Sequence, residues 1–239
     1  MIDSPPVWGC RVLAAYPHDP DAFTQGLVFV DGCLFESTGH FGRSSVRQVE
    51  LESGRVLRSA TLPADVFGEG IAAWGDDIVG ITWRNGTVYR WDRATLRCTG
   101  EWPQPGEGWG LTQDGRRLVM SDGTSRLRFL DPATMREQSK LAVTAAGRPV
   151  GWLNALQWVE GEIFANILAL PALARIDPAS GRVNGWIDLR ALVREASGGD
   201  PEKVANGIAW DEAEGRLFVT GKNWPSLYHI ALVPPQRAG

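Results

Sequence analysis

One unit recurs along this chain, and it limits the possible folds more than any other feature. Each copy opens on a polar or aromatic residue followed by Gly or Ala and then Leu or Ile. A short strand, a turn and a second strand come next. The copies read QGLVFVDGCLFEST from Gln25, EGIAAWGDDIVGITW from Glu69, WGLTQDGRRLVMSD from Trp109, NALQWVEGEIFAN from Asn154 and NGIAWDEAEGRLFVTGK from Asn206. Their starts are spaced by 44, 40, 45 and 52 residues, close to the roughly 40–50 residues of a propeller blade. The turns VDG, QDG and VEG have hairpin chemistry. A third strand and an Asp-Pro-Ala-Thr/Ser type of turn then lead to a fourth, as in LRFLDPATMRE and LARIDPASGRV. Four strands per copy and little helical periodicity predict an all-β, five-bladed β-propeller of antiparallel four-stranded blades, forming one domain over residues 1–239.

The last copy lacks a strand, because SLYHIALV supplies only its third. The segment GCRVLAAYP, ahead of the first copy, is expected to complete that blade and close the ring, removing an open edge. The stretch from Leu189 to Asp200 has helical spacing and contains Gly-Gly near its end. It is expected to be a short helix inserted before the last blade.

Copies arranged around an axis bring equivalent residues together. The first-strand starts form one ring of Gln25, Glu69, Trp109, Asn154 and Asn206. The second-strand ends form another of Glu36, Trp83, Asp122, Asn166 and Lys222. Phe23 and Phe67 precede Gln25 and Glu69 by two residues and are expected on the same face by strand alternation. The implied pocket has a central carboxylate, amides, one lysine and aromatic walls, a composition suited to a small ligand carrying an amide and an amine. Lysine occurs only at Lys140, Lys203 and Lys222 in an arginine-rich chain. A residue that stays lysine there merits notice, because arginine cannot act as a compact, deprotonatable charge.

Other readings compete. Trp74, Trp91, Trp158, Trp186 and Trp210 fit packing between sheets. Glu36 and Asp122 fit loop caps that satisfy backbone N–H groups. Asn85-Gly86-Thr87 matches a glycosylation acceptor, but Asn-Gly between strands is more simply a type I′ turn. A glycoside hydrolase would need a second carboxylate, Glu36 or Asp122, about 5–9.5 Å from Glu69. A propeller that only binds a partner is a further alternative.

The bulk properties narrow the classes. The formal net charge is −4 with no basic block, so nucleic acid is not an expected partner. No apolar run approaches the ~18 residues that span a bilayer, so no membrane partner is expected. MIDSPPVWGC lacks the pattern of an export leader. A soluble protein is expected, periplasmic or secreted if a leader was removed. Cys10, Cys33 and Cys98 are odd in number and far apart, and are expected to be buried free thiols. His18, His40 and His229 do not cluster with them, so no metal and no cofactor is expected.

The segments DPDAFTQGL, ESTGHFGRSSVRQVEL, VFGEGIAAW, ITWRNGTVY, GEGWGL and VANGIAWDE…RLFVTGKNW resemble the plant- and bacterial-type glutaminyl cyclases, from about Tyr16 to Ile230. The resemblance implies a metal-independent five-bladed enzyme that cyclises the N-terminal glutamine of peptides to pyroglutamate and releases ammonia; a monomer is expected. It implies Glu69 as the catalytic carboxylate, with Lys222 and Asn154 in catalysis. Phe23, Gln25, Phe67, Trp83 and Trp109 would bind substrate. Two departures stand out. The chain has NALQ at Asn154–Gln157 where the family commonly has NELE, and Leu168 stands where a tryptophan is common. One pocket wall is therefore expected to be less aromatic.

Overall fold

The structure, a computed structural model, describes residues 4–104 and 106–235. Met1 to Asp3, part of the segment read for a leader, lie outside them. An outer strand, β1 (Val7–Pro17), comes first. Three antiparallel four-stranded sheets follow in chain order. They are β2 (Thr24–Val30), β3 (Cys33–Thr38), β4 (Ser45–Val49) and β5 (Val56–Thr61); β6 (Gly68–Trp74), β7 (Asp77–Thr82), β8 (Thr87–Asp92) and β9 (Cys98–Pro103); and β10 (Leu111–Gln113), β11 (Leu118–Met120), β12 (Arg126–Leu130) and β13 (Glu137–Ala142). A small hairpin, β14 (Thr144–Ala145) and β15 (Arg148–Pro149), intervenes. Then come β16 (Leu153–Val159), β17 (Glu162–Ile167), β18 (Ala172–Ile176) and β19 (Val183–Asp188), helix α1 (Arg190–Ser197), and β20 (Ala205–Asp211), β21 (Arg216–Gly221) and β22 (Ser226–Val233).

β1 lies antiparallel to β22, from Gly9 opposite Val233 to Pro17 opposite Ser226. The expected completion of the last sheet by the N-terminal segment is therefore present. β1 also pairs in parallel with β19 through Val7 and Trp8. That pairing merges the last two groups into one eight-stranded sheet, a join the sequence did not announce. The inner strands β2, β6, β10, β16 and β20 pack each on the next, and β20 packs back on β2.

The small residue after each opening residue has a steric reason. A Cβ on Gly26 would lie 2.6 Å from the Ile71 nitrogen, one on Gly70 2.5 Å from the Leu111 nitrogen, and one on Gly110 2.0 Å from the Asn154 oxygen. These glycines let neighbouring inner strands meet backbone to backbone. The Gly70 N–H donates directly to the Trp109 carbonyl at 2.9 Å. Between the sheets lie layers of apolar residues, among them Phe35, Ile71 and Ile78, then Val79, Leu118 and Leu130, then Leu127, Leu153 and Ile163. Trp91 is buried, while Trp74, Trp158, Trp186 and Trp210 pack half-buried against these layers, as inter-sheet packing requires.

The turns follow their chemistry with two exceptions. Asp31-Gly32 (φ 49° and 74°) and Glu160-Gly161 (φ 47° and 87°) both take the two left-handed residues of a tight hairpin. Asp114 does not, and its side chain instead accepts from the Arg116 and Arg117 N–H groups in a longer turn. Asn85 also falls outside the left-handed region, so Asn85-Gly86 is no type I′ turn. Its side chain ties two loops, accepting from the Phe67 N–H and donating to the Asp65 carbonyl. The expected turns between third and fourth strands form around Asp131 and Asp177, whose carboxylates cap the following N–H groups. α1 ends at Gly198 in the left-handed conformation, close to its predicted limits. The cysteines are free, but Cys98 is exposed and Cys10 and Cys33 are half-buried. Cys10 and Cys33 pack against the apolar layers from outer strand β1 and a hairpin edge, while Cys98 lies on outer strand β9.

Candidate active site

Four of the inner strands carry a β-bulge where the repeat begins. The pairing register breaks between Thr24 and Gly26, Gly68 and Ile71, Leu153 and Leu156, and Ala205 and Ile208. The residues at the breaks include Gln25, Glu69, Asn154 and Asn206. A bulge re-aims a side chain away from the pleat. Gln25, Glu69 and Asn154 accordingly reach a cavity of about 280 Å³ at one mouth of the ring. Phe23, Phe67, Trp83, Trp109 and Lys222 line it as well, so all eight predicted site residues come together.

Asn206 does not line the cavity but lies beneath it. Its Nδ2 donates to the Thr24 carbonyl at 3.0 Å and to Gln25 Oε1 at 2.9 Å. With its oxygen engaged, Gln25 turns Nε2 toward Glu69 and donates to Oε1 at 3.2 Å. No other hydrogen bond reaches the Glu69 carboxylate among the described residues. Glu69 is 6% exposed. Burial pushes its carboxyl well above the usual carboxylate range; the Lys222 charge opposes this and Glu107 adds to it. Burial likewise pulls the Lys222 ammonium below its ordinary value, against the charges of Glu69 and Glu202. Lys222 Nζ sits 4.5 Å from the Phe23 ring centroid and makes no ion pair among the described residues.

The walls interlock. Phe67 meets Phe23 and Trp83 edge-on, with centroids 6.3 and 5.7 Å apart. Two polar atoms of the lining residues, Trp109 Nε1 and Asn154 Oδ1, are buried without a hydrogen-bond partner. Such atoms cost free energy unless something pairs them. One is a donor and the other an acceptor.

The second predicted ring is only partly realised. Trp83 and Lys222 reach the cavity; Glu36, Asp122 and Asn166 do not. Asn166 accepts from the Gly207 N–H, and Asp122 caps Thr124. Glu36 is buried in a charge network instead. Its oxygens accept from His18 Nε2, Thr24 Oγ1 and the Arg47 Nε and NH2 groups. His18 Nδ1 contacts the Trp224 carbonyl at 2.6 Å. Both His18 nitrogens thus face acceptors, which requires the imidazolium. The network stitches the segment carrying Phe23 and Gln25 to the one carrying Lys222. Leu168 lines the cavity, as the less aromatic wall expected there, and sequence reasoning missed one lining residue, His40. The His40 ring leans on Phe23, its centroid 4.1 Å away and the planes tilted by 39°. His40 sits in an irregular loop, and the only sequence signal for Leu168 was its departure from the family pattern.

A larger cavity of about 700 Å³ opens among the hairpin tips, around Asp31, Gly32, Glu160 and Gly161. Of its four lining carboxylates, Asp31 and Asp211 are engaged by Arg93 and Arg216, and Glu160 sits at a hairpin tip. The smaller cavity, with its desolvated acid and unpartnered polar atoms, has the chemistry. Among the described residues no three His, Cys, Asp or Glu side chains gather as a metal site, and no helix is long and apolar enough to cross a membrane.

Comparison with known proteins gives three findings. A family model described as glutamine cyclotransferase matches residues 1–232. The chain is 44% identical over 226 residues to a glutaminyl-peptide cyclotransferase of Arabidopsis thaliana, covering 93% of this chain and 71% of that protein. The crystal structure of Myxococcus xanthus glutaminyl cyclase aligns with a TM-score of 0.92 at 38% identity, over 96% of this chain and 99% of that one.

Proposed function

The chain belongs to the glutamine cyclotransferase family, and from that premise we propose that Glu69 carries the proton in the cyclisation of a peptide's N-terminal glutamine. The activity is that of a glutaminyl-peptide cyclotransferase: the α-amine attacks the side-chain amide carbon, a lactam C–N bond forms, the C–NH2 bond breaks and ammonia leaves.

The aromatic slot of Phe23, Phe67, Trp83 and Trp109 holds the glutamine side chain folded on its own amine. Freezing that side chain costs up to about 2 kcal/mol, and holding it near attack geometry lowers the barrier. Attack needs a neutral amine, whose ordinary pKa is about 7.7–8.0. Glu69 takes the proton the amine sheds and returns it to the departing nitrogen, which cannot leave as an amide anion. Its raised pKa suits an acid and base working in turn near neutral pH. Gln25, locked by Asn206, orients the carboxylate. The oxyanion meets the Trp109 indole N–H and the Lys222 charge, and Asn154 Oδ1 accepts from a substrate N–H.

We read the frame as one domain, a five-bladed propeller. The cycle of inner strands and the completion of β20–β22 by β1 support this. The observation that carries the functional reading is the buried, weakly hydrogen-bonded Glu69 inside an aromatic cavity. Glu36, with four donor atoms on its oxygens, is not free to act as the second carboxylate of a glycosidase. The test is ammonia release from Gln-containing dipeptides beside a chromogenic glycoside, for the wild type and Glu69→Gln. Turnover of the glycoside alone would overturn the reading.

A further inference from the structure

Trp152 stands just outside the cavity and is 61% exposed. Its ring centroid lies 6.1 Å from that of Trp109. Its N–H donates to the Gly123 carbonyl at 2.7 Å, and its carbonyl accepts from the Leu168 N–H at 2.9 Å. Trp109 and Leu168 line the cavity, so Trp152 extends the same wall outward. Its backbone is left-handed, φ 61°, a costly state for any residue with a Cβ.

It is not alone. Among non-glycine residues with positive φ, His40 (84°), Ala169 (62°) and Asn223 (58°) also lie in, or next to, lining residues. Strain of this kind persists where surrounding structure enforces it, and it gathers at ligand sites. Trp152 also differs from the other exposed aromatic of the rim, Phe41, which turns an edge contact onto Phe67 at 5.5 Å. Trp83, Trp102 and Trp8 each have an arginine over the ring; Trp152 has none among the described residues.

Cyclisation confines the glutamine amine and side chain to the cavity. Only the α-carbonyl leads out, and the next residue lies about 3.3–3.6 Å further along an extended chain. It must therefore land on the rim. We propose that Trp152 forms a second binding position that takes the side chain of the residue following glutamine and favours an aromatic one there. This rests on reading the cavity as the glutamine site.

The test compares kcat/KM for Gln-Phe-amide and Gln-Gly-amide, by ammonia release, in the wild type, Trp152→Ala and Phe41→Ala. An aromatic contact of ordinary strength gives the wild type a preference for Gln-Phe of about three- to tenfold, expressed mainly in KM. Trp152→Ala is expected to bring the ratio to near one by losing Gln-Phe turnover at low substrate, while Phe41→Ala keeps it. A ratio unchanged in Trp152→Ala, a ratio lost only in Phe41→Ala, or an equal fall for both peptides in Trp152→Ala would overturn the second position while leaving the glutamine site standing. Failure of the wild type to cyclise either peptide would instead overturn the glutamine site, and the second position with it.

Discussion

At the scale of single residues, Glu69 and Lys222 are coupled through charge, and their variants should differ in kind. Glu69→Gln keeps the volume and the contact with Gln25 but cannot carry a proton. Turnover is expected to fall about 10²–10⁴-fold with the melting temperature kept, measured by ammonia release and thermal unfolding. Lys222→Ala is expected to cost less in turnover. It also removes the charge that restrains the Glu69 carboxyl, so the acid limb of the kcat/KM profile should move to higher pH. The His18–Glu36 network makes a separate claim on stability. Burial raises the Glu36 carboxyl, but His18, Arg47 and Thr24 outweigh it and hold it at about 2, against an ordinary 4.5. Its contribution is present above pH 4.5 and lost as pH falls toward about 2. Burial pulls His18 down, but Glu36 and the Trp224 carbonyl raise it above its ordinary 6.5. That contribution is full below pH 6.5 and lost as pH rises through the higher folded value. Melting temperature should therefore peak between the two limits. Glu36→Gln, which takes their shared buried carboxylate from His18 and Arg47 and leaves Arg47 only Asp19, should lose about 3–5 kcal/mol and flatten the acid side.

At the scale of strands, the glycines behind the opening residues set how closely the inner ladders approach. Gly70→Ala would push a methyl to 2.5 Å from the Leu111 backbone nitrogen. A cost of about 1–3 kcal/mol is expected, read as a lower melting temperature, with turnover falling as Glu69 shifts. The repeat made these positions legible, because a polar or aromatic opening residue and a small neighbour recur in every copy. The bulges that aim Gln25, Glu69 and Asn154 were not legible, since a register break depends on the partner strand. The second ring failed at Glu36 for a related reason. Its partner His18, like the Asp19 that shares Arg47 with it, comes from the segment ahead of the first copy, where the repeat carries no information. His40, Leu168 and Trp152 arrive on loops that also escape the pattern.

At the scale of the whole molecule, the last sheet is complete only when both chain ends contribute. Removing residues 4–17 would leave the β22 ladder unpaired from Ser226 to Val233, and an exposed edge of that length invites pairing with another chain. The shortened protein is expected to lose its single cooperative transition and to associate, as light scattering and calorimetry would report. The same closure has a temporal meaning. β1 leaves the ribosome before every strand of the sheets it closes, and β22 after all of them. The nascent molecule must therefore hold β1 in reserve until β22 is made, and the catalytic mouth, shared by Gln25 and the much later Lys222, exists only once both have been synthesised.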